Sequence, residues 1–174
     1  MEVKLKEIIL RICQTLNNNN VQYLIVGGSA VALHGFFRMS ISRSGFPAEK
    51  FDLDIWYNPS YPNYFNLLNA LESLGEDVSE FRNEQTPKPE KSFFKFDFEQ
   101  FTLDFLPSIG DLQKFRDSHN SCDLLSIDGI EVPFINMEDL ILNKERQGRP
   151  ADIEDVIQLK KIKKSDNTSN KNIR

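Results

Sequence analysis

The chain has 174 residues, of which 40% are hydrophobic and 27% are charged. This length fits one domain, or one domain with a short appendage, that buries a core without needing disulfides. The formal net charge of −5 argues against a broad basic surface for nucleic acid. Because six of the 21 basic residues lie between Lys160 and Arg174, the rest of the chain is more acidic still.

Cysteine and histidine usage excludes most zinc sites. Cys13 and Cys122 lie far apart, and Cys13 falls on the apolar stripe of a predicted helix, where a reduced core thiol is expected. With only His34 and His119, a histidine-based zinc site is nearly excluded. The N-terminal segment does not resemble a signal peptide, and no apolar run has the length of a membrane span. We therefore expect a cytoplasmic protein without a membrane partner.

The first half of the chain predicts alternating helices and strands. Apolar residues at helical spacing run from Leu5 to Leu16, and the Asn17–Asn20 run ends that helix. The segments that follow are a strand at Tyr23–Val26, a short helix at Ala30–His34 capped by Ser29, a long loop at Phe36–Lys50, a strand at Phe51–Tyr57 and a helix at Tyr61–Leu74.

The second half predicts two hairpins and two helices. After a polar loop at Gly75–Lys91, the alternating segments Phe93–Phe98 and Phe101–Leu106 form a hairpin. A second hairpin spans Leu124–Ile135 around a type I′ turn at Asp128-Gly129. The remaining segments are a helix from Asn136 to near Gln147, a helix at Ala151–Ile162 and a polar, disordered tail at Lys163–Arg174. The fold class is α/β (α+β), with a single mixed β-sheet flanked by helices in a domain over 1–162 and a tail over 163–174.

The segment Phe51–Trp56 holds the residues on which a functional prediction depends. Because side chains alternate across a strand, Asp52 and Asp54 share one face. Two adjacent carboxylates repel unless a cation joins them, and hard oxygen ligands suit magnesium or manganese. An Asp-x-Asp pair occurs about once by chance in such a chain, so an exposed polar strand face is the alternative interpretation.

Two further features favour a phosphate-binding site. The Gly27-Gly28-Ser29 turn between a strand and a helix offers backbone N–H groups and a hydroxyl to phosphate oxygens, although plain strand-to-helix turns of this kind are also common. Asp104 interrupts an otherwise apolar strand, where the alternative is a solvent-facing side chain.

Taken together, these motifs resemble the nucleotidyltransferase fold of the DNA polymerase beta superfamily, and within it the AbiEii-type toxin and minimal nucleotidyltransferase groups. The segments that carry the resemblance follow one another in the family order. They are residues 26–35, residues 52–56, residues 135–144 and residues 148–155. One departure is Lys50, where relatives usually place a threonine two residues before the first aspartate, and another is a longer loop between Gly35 and Asp52.

The resemblance implies a set of site residues. Asp52, Asp54 and Asp104 would be catalytic and would hold Mg²⁺ or Mn²⁺. The nucleoside triphosphate substrate would be contacted by Gly27, Gly28, Ser29, Lys144 and Arg38.

Several of these residues have a structural alternative. Lys144 could equally be a solvated surface lysine, and His34 is expected to pack the turn. Arg149, Asp152 and Asp155 are interpreted as capping and surface charges at a helix start.

Three functions stay open at this stage. The first is transfer of a nucleoside monophosphate to a hydroxyl of tRNA, a protein or a small molecule. The second is an inactive fold that binds a cognate protein as one half of a toxin–antitoxin pair, and the third is a nucleotide-binding regulator. The oligomeric state is not predicted.

Overall fold

The structure is a computed structural model that describes residues 2–36, 50–110 and 113–171, with side chains described over 6–36, 50–110 and 113–165. Its helices are α1 (Glu2–Asn18), α2 (Gly27–Leu33), α3 (Tyr61–Ser73), α4 (Ser79–Arg82), a 3₁₀ turn (Pro89–Lys91), α5 (Phe115–Asn120), α6 (Met137–Gln147) and α7 (Pro150–Lys171). Its strands are β1 (Tyr23–Val26), β2 (Phe51–Tyr57), β3 (Phe94–Asp97), β4 (Phe101–Leu106), β5 (Asp123–Ile127) and β6 (Ile130–Phe134).

The described strands form one mixed sheet in the order β3-β4-β2-β1-β6-β5. The central pairs are β2 parallel to β4, β1 antiparallel to β2, and β1 parallel to β6. The two hairpins, β3–β4 and β5–β6, form the flanks of the sheet. The mixed single-sheet fold predicted from the sequence is confirmed.

The core lies where apolar strand residues meet the helices. Leu24 and Ile25 of β1 and Leu53 and Ile55 of β2 are fully buried, as short apolar runs at the centre of a sheet should be. Helix α1 packs against β6 and α3, and α2 packs against β1, β2 and α6. None of the described helices combines the length and the apolar character that a membrane crossing requires.

Local turn chemistry follows the predictions closely. Asp128 and Gly129 both have positive φ, 53° and 79°, as a type I′ turn demands. Asn136 caps α6 by accepting from the Asp139 N–H at 2.8 Å, and Gly148 ends that helix in the left-handed region with φ of 62°.

Four local predictions are wrong or incomplete. Ser29 does not cap α2, because that helix already begins at Gly27 and its N-cap residue is Val26. The segment expected to be a loop before Lys91 contains α4 and the 3₁₀ turn, and α5 was not predicted. Helix α7 continues to Lys171, nine residues beyond its predicted end at Ile162, so residues 163–171 of the expected disordered tail are helical. The division of the chain at residue 162 stays a prediction.

Helix α4 starts through a local contact, whereas the 3₁₀ turn is held by a residue of a distant strand. Asp77 accepts a hydrogen bond from the Ser79 N–H at 3.0 Å, which starts the single turn of α4. The buried Tyr57 hydroxyl lies 2.7 Å from the Pro89 carbonyl oxygen and 2.5 Å from that of Ser92. The two contacts of Tyr57 join the 3₁₀ turn to a strand more than thirty residues away, and a local sequence pattern cannot predict them.

Candidate active site

Polar side chains form two rows across three neighbouring strands. In the first row Asp54 of β2 stands opposite Asp104 of β4, which stands opposite Lys95 of β3. In the second row Asp52 stands opposite Thr102, which stands opposite Asp97. Directly opposed residues of paired strands project from the same face, so all six side chains share one face of the sheet. The three aspartates predicted from the sequence therefore lie together.

Asp54 lies against the turn that ends β1. A Cβ atom at Gly27 would overlap the Asp54 Oδ2 atom and would lie 3.0 Å from its Cγ atom, so only glycine leaves room for the carboxylate. Gly27 also has φ of 64°, a conformation that favours glycine. Burial, followed by the negative charges of Asp104 and Asp52, raises the pKa of Asp54 to about 6. Lys144 and Arg149 oppose that rise in pKa through their positive charges.

Asp52 is oriented by a neighbouring hydroxyl and by its own backbone. Thr102 Oγ1 donates to Asp52 Oδ1 at 2.6 Å. Ser29 Oγ donates to the Asp52 carbonyl oxygen at 2.9 Å, which ties the start of α2 to β2. Asp52 itself is exposed.

Asp104 has one paired and one unpaired oxygen. Lys95 Nζ lies 3.2 Å from Asp104 Oδ2, and the Lys95 side chain is 57% exposed while that of Asp104 is 17% exposed. Asp104 Oδ1 is buried and has no hydrogen-bond partner among the described residues. A buried carboxylate oxygen without a partner is costly, and a cation bound at this face would satisfy it.

The donor set on this face suits a divalent cation with a preference for oxygen. Asp52, Asp54 and Asp104 supply carboxylate oxygens only, which is the chemistry of magnesium and manganese sites. As the side chains stand, no three His, Cys, Asp or Glu residues of the described segments form a ready metal-binding group. The unpaired oxygen of Asp104 and the raised pKa of Asp54 fit a site that gains a cation.

Lys144 lies in a buried ion cluster beside this face. Its Nζ atom is 3.0 Å from Asp152 Oδ1 and 2.9 Å from Asp155 Oδ2, and the three side chains are 3%, 0% and 0% exposed. The interpretation of Lys144 as a solvated lysine is thus wrong, and so is that of Asp152 and Asp155 as surface charges. Two buried carboxylates need a buried cation, which α6 supplies to α7.

Arg149 joins the same cluster from outside. Its Nε atom donates to Asp152 Oδ2 at 2.6 Å, while its side chain stays 66% exposed. Burial alone would raise the pKa of Asp152, but hydrogen bonds from Arg149 and Lys144 hold that pKa below its ordinary value. The exposed guanidinium and Asp54 interact electrostatically, so Arg149 contributes positive charge near the carboxylates.

Comparisons with known proteins bear on the family and the fold of the chain. Residues 65–173 match the model of a family described as nucleotidyl transferase of unknown function (DUF2204). The chain belongs to this family. The matched segment includes Asp104 and Lys144, and it begins after Asp52 and Asp54.

Solved structures with the same fold extend the likeness to most of the chain. A candidate nucleotidyltransferase from Thermotoga maritima has a TM-score of 0.56 at 15% identity over 92% of this chain and 93% of its own. An antigenic nucleotidyltransferase-like protein from Paracoccidioides brasiliensis has a TM-score of 0.51 at 20% identity over 89% of this chain and 74% of its own. The comparison with curated proteins found no match. The nucleotidyltransferase fold is confirmed, and the closer likeness to the AbiEii-type group stays a prediction.

The remaining residues singled out in the sequence of this nucleotidyl transferase family member have three different positions. Gly27 and Gly28 lie at the start of α2 beside Asp54, and an added Cβ at Gly28 would meet nothing within 4 Å. His34 is structural as expected, since its Nε2 atom lies 2.9 Å from the Ile135 carbonyl oxygen. Arg38 lies outside the described residues.

Sequence reasoning missed Lys95 and Thr102. Both lie on strands that were predicted, and each is an even number of residues from an aspartate of the same strand: Asp97 for Lys95 and Asp104 for Thr102. That alternation would have placed them on the polar face. The register between β3 and β4, which places Lys95 opposite Asp104, depends on how the strands pair and cannot be predicted from the residues around either position.

Proposed function

We propose that this protein is a divalent-metal-dependent nucleotidyltransferase that moves a nucleoside monophosphate from a nucleoside triphosphate to a hydroxyl group. The observation that carries the proposal is the pair Asp54 and Asp104, opposed across β2 and β4 beside the Gly27 turn, with one buried Asp104 oxygen unpaired. Membership of a nucleotidyl transferase family supports the same reaction class.

The chain's own residues divide the work of such a reaction. Mg²⁺ or Mn²⁺ held by Asp52, Asp54 and Asp104 would supply positive charge to the phosphates and lower the pKa of the acceptor hydroxyl. Thr102 keeps one oxygen of Asp52 in place through its 2.6 Å bond. Gly28 and Ser29 at the start of α2 would border the triphosphate, with backbone N–H groups near its oxygens.

Positive charge on this side of the molecule comes from Lys144 of α6 and from Arg149, which lies between α6 and α7. The Arg149 side chain is exposed, and its guanidinium is held by Asp152 and Gln147, so it would offer a phosphate positive charge from a fixed position. Lys144 is fully engaged by Asp152 and Asp155, so its contribution is an electrostatic one through the protein rather than a contact in the open site. Phosphoryl and nucleotidyl transfers depend largely on such positioning and charge stabilisation.

The acceptor hydroxyl is proposed to belong to tRNA, a protein or a small molecule. Membership of a toxin–antitoxin pair is compatible with each of them. The net charge of −5 makes a long polyanion the less natural acceptor, unless local lysines such as Lys95 and Lys50 offset the repulsion.

A specific observation favours a second function, that of a binding module without turnover. No three acidic side chains of the described segments stand ready as a metal site, and Lys144 is held in a buried cluster. A protein of this kind would bind a nucleoside triphosphate or a cognate protein and would release no pyrophosphate.

Label transfer distinguishes the two functions. The purified protein is incubated with each α-labelled nucleoside triphosphate, magnesium, total tRNA and a cell lysate. Transfer of label to a macromolecule or a small acceptor by the wild type is expected, with loss of transfer in Asp54→Asn and Asp104→Asn. Asp97→Asn, which alters the outer end of the second row, is the matched control and keeps most of the transfer. Triphosphate binding without any transfer would instead support the binding module.

A further inference from the structure

The sheet has two edges, and they differ in how they are protected. Edge strand β3 carries Lys95 and Asp97, and charged residues on an edge strand discourage pairing with another chain. Edge strand β5 reads Asp-Leu-Leu-Ser-Ile and contains no lysine, arginine or proline. The devices that block edge pairing are therefore present on β3 and missing from the centre of β5.

The side chains of β5 are unusually open for an apolar strand. Leu124 is 55% exposed and Leu125 is 37% exposed, although they point to opposite faces of the sheet. Leu125 stands opposite Val132 of β6, which is fully buried. Strand β5 thus extends the sheet beyond the layer of helices that covers β6, and it leaves apolar surface on both faces.

The geometry of the hairpin turn determines which backbone N–H and C=O groups of β5 point away from β6. In a hairpin closed by the two-residue turn Asp128-Gly129, the flanking residues Ile127 and Ile130 form a hydrogen-bonded pair. Alternation along the strand then directs the N–H and C=O groups of Leu124 and Ser126 away from β6. Among the described residues, these groups take part in no backbone hydrogen bond beyond the hairpin.

We propose that β5 pairs antiparallel with β5 of a second copy of this chain, which joins two six-stranded sheets into one. A twofold axis at Leu125 places Leu124 opposite Ser126 of the second copy, and Ser126 opposite Leu124. These are the residues with outward backbone groups, so the register forms four backbone hydrogen bonds. Leu125 then meets its own copy at a position without backbone bonds, where opposed side chains come closest.

Charge favours a second copy as the occupant of this edge. In the proposed register Asp123 stands opposite Ile127, so no two carboxylates meet across the axis. Asp128 at the end of the hairpin is already paired with Lys6, whose Nζ atom lies 2.9 Å from Asp128 Oδ2. The strand is thus complementary to itself in hydrogen bonding and brings no like charges together, as a twofold interface requires.

The experiment measures oligomeric state with the whole chain. Sedimentation velocity at protein concentrations up to about 100 µM is expected to show a reversible dimer, since one strand pair gives a small interface. Leu125→Lys sets two like charges face to face at the axis and should yield a monomer. The control is Leu142→Lys on α6, where the leucine has nearly the same exposure, 38%, and the dimer should persist.

A second variant tests the same strand edge by a different change, so that the result does not depend on the folding of Leu125→Lys. Ser126→Pro removes a backbone N–H that does not bond to β6, so it should break the dimer and leave the hairpin intact. Ser126→Ala is its control and should remain dimeric. Far-UV circular dichroism checks that each variant is folded.

The register is tested by cross-linking. In a Cys122→Ser background, Leu125→Cys treated with diamide as the thiol oxidant should give a disulfide-linked dimer, whereas Leu142→Cys should not. A monomeric wild type at the highest concentration would overturn the proposal. A dimer that survives both Leu125→Lys and Ser126→Pro would overturn it as well, because another surface would then hold the two copies together.

Discussion

Asp54 and Asp104 stand directly opposite each other on the parallel strands β2 and β4. Burial and the two neighbouring carboxylates raise the pKa of Asp54 to about 6, from an ordinary value of 3.8. The folded protein therefore holds a proton at Asp54 more tightly than the unfolded chain does. Between pH 4 and 6 this difference lowers the free energy of unfolding as the pH rises, and the loss is complete above the raised pKa.

Asp54→Asn should consequently stabilise the metal-free protein at neutral pH. We expect a gain of about 1 to 3 kcal/mol at pH 7 and little gain at pH 4, because one pKa unit corresponds to about 1.4 kcal/mol. Urea unfolding of wild type and variant at both pH values measures the difference. Glu99→Gln, an exposed glutamate in the turn between β3 and β4, is the control and should change neither value. An Asp54→Asn protein that is less stable than wild type at pH 7 would contradict the electrostatic account of the site.

Lys95 tests whether the same carboxylates gain a cation. Its ammonium group lies 3.2 Å from Asp104 Oδ2 and is the partner of that oxygen before any metal binds. Lys95→Met should destabilise the metal-free protein by less than about 1 kcal/mol, because the lysine is largely exposed. Since Lys95 no longer competes for Asp104, the rise in melting temperature on adding Mn²⁺ should be larger than in the wild type.

The matched control for Lys95 is Lys50→Met. Lys50 Nζ lies 2.7 Å from Asp97 Oδ1, in the neighbouring row and away from the unpaired oxygen. Its removal should leave the response to Mn²⁺ unchanged. Equal responses of wild type, Lys95→Met and Lys50→Met would show that the cation does not bind at Asp104.

Lys144 is predicted to contribute mainly to the stability of the fold. Replacing it with methionine leaves Asp152 and Asp155 buried without their shared cation, which typically costs about 3 to 5 kcal/mol. Lys160→Met removes an exposed pair in which Lys160 Nζ lies 2.6 Å from Glu145 Oε1, and it should cost less than about 1 kcal/mol. Urea unfolding at pH 7 compares the two variants. Similar small losses in both would mean that the buried cluster contributes little to folding.

The Asp152 carboxylate gives this cluster a pH signature. Its pKa is held below the ordinary value in the folded protein, so its contribution to stability is present at neutral pH. That contribution should disappear as the pH falls below the ordinary range of an aspartate. The difference in free energy of unfolding between wild type and Lys144→Met should shrink over the same acidic range.

The sequence predicts well those parts of the fold that depend on short-range chemistry. Alternation identified β3 and β4, the Asp128-Gly129 pair identified the turn of the second hairpin, and Asn136 marked the start of α6. Each of these signals acts within a few residues, so no tertiary knowledge is needed to interpret it.

The site required more than such signals. That Asp52 and Asp54 share a face follows from strand geometry, but their opposition to Thr102 and Asp104 depends on the register between β2 and β4. The burial of Lys144 is harder still, because a lysine on a helix is normally solvated and its partners come from the next helix. A prediction from the sequence pattern alone therefore places the carboxylates on a common strand face but does not place the lysine side chains around them.

Gly27 is predicted to be the glycine on which the site depends. An alanine there would place its Cβ against Asp54 Oδ2, at a φ of 64° that alanine rarely adopts. Gly27→Ala should cost about 1 kcal/mol or more in stability and should displace the Asp54 carboxylate. A displacement of that kind lowers the rate of nucleotidyl transfer by about 10- to 100-fold.

The neighbouring glycine supplies a control one residue away. Gly28 has no positive φ, and an added Cβ would meet nothing within 4 Å, so Gly28→Ala should fold as the wild type does. Label transfer and urea unfolding are measured for both variants under the same conditions. If Gly27→Ala retained the transfer rate of the wild type, the contact with Asp54 would be irrelevant to the reaction. If Gly28→Ala lost transfer while remaining as stable as the wild type, the open space at Gly28 would be the place where the triphosphate lies.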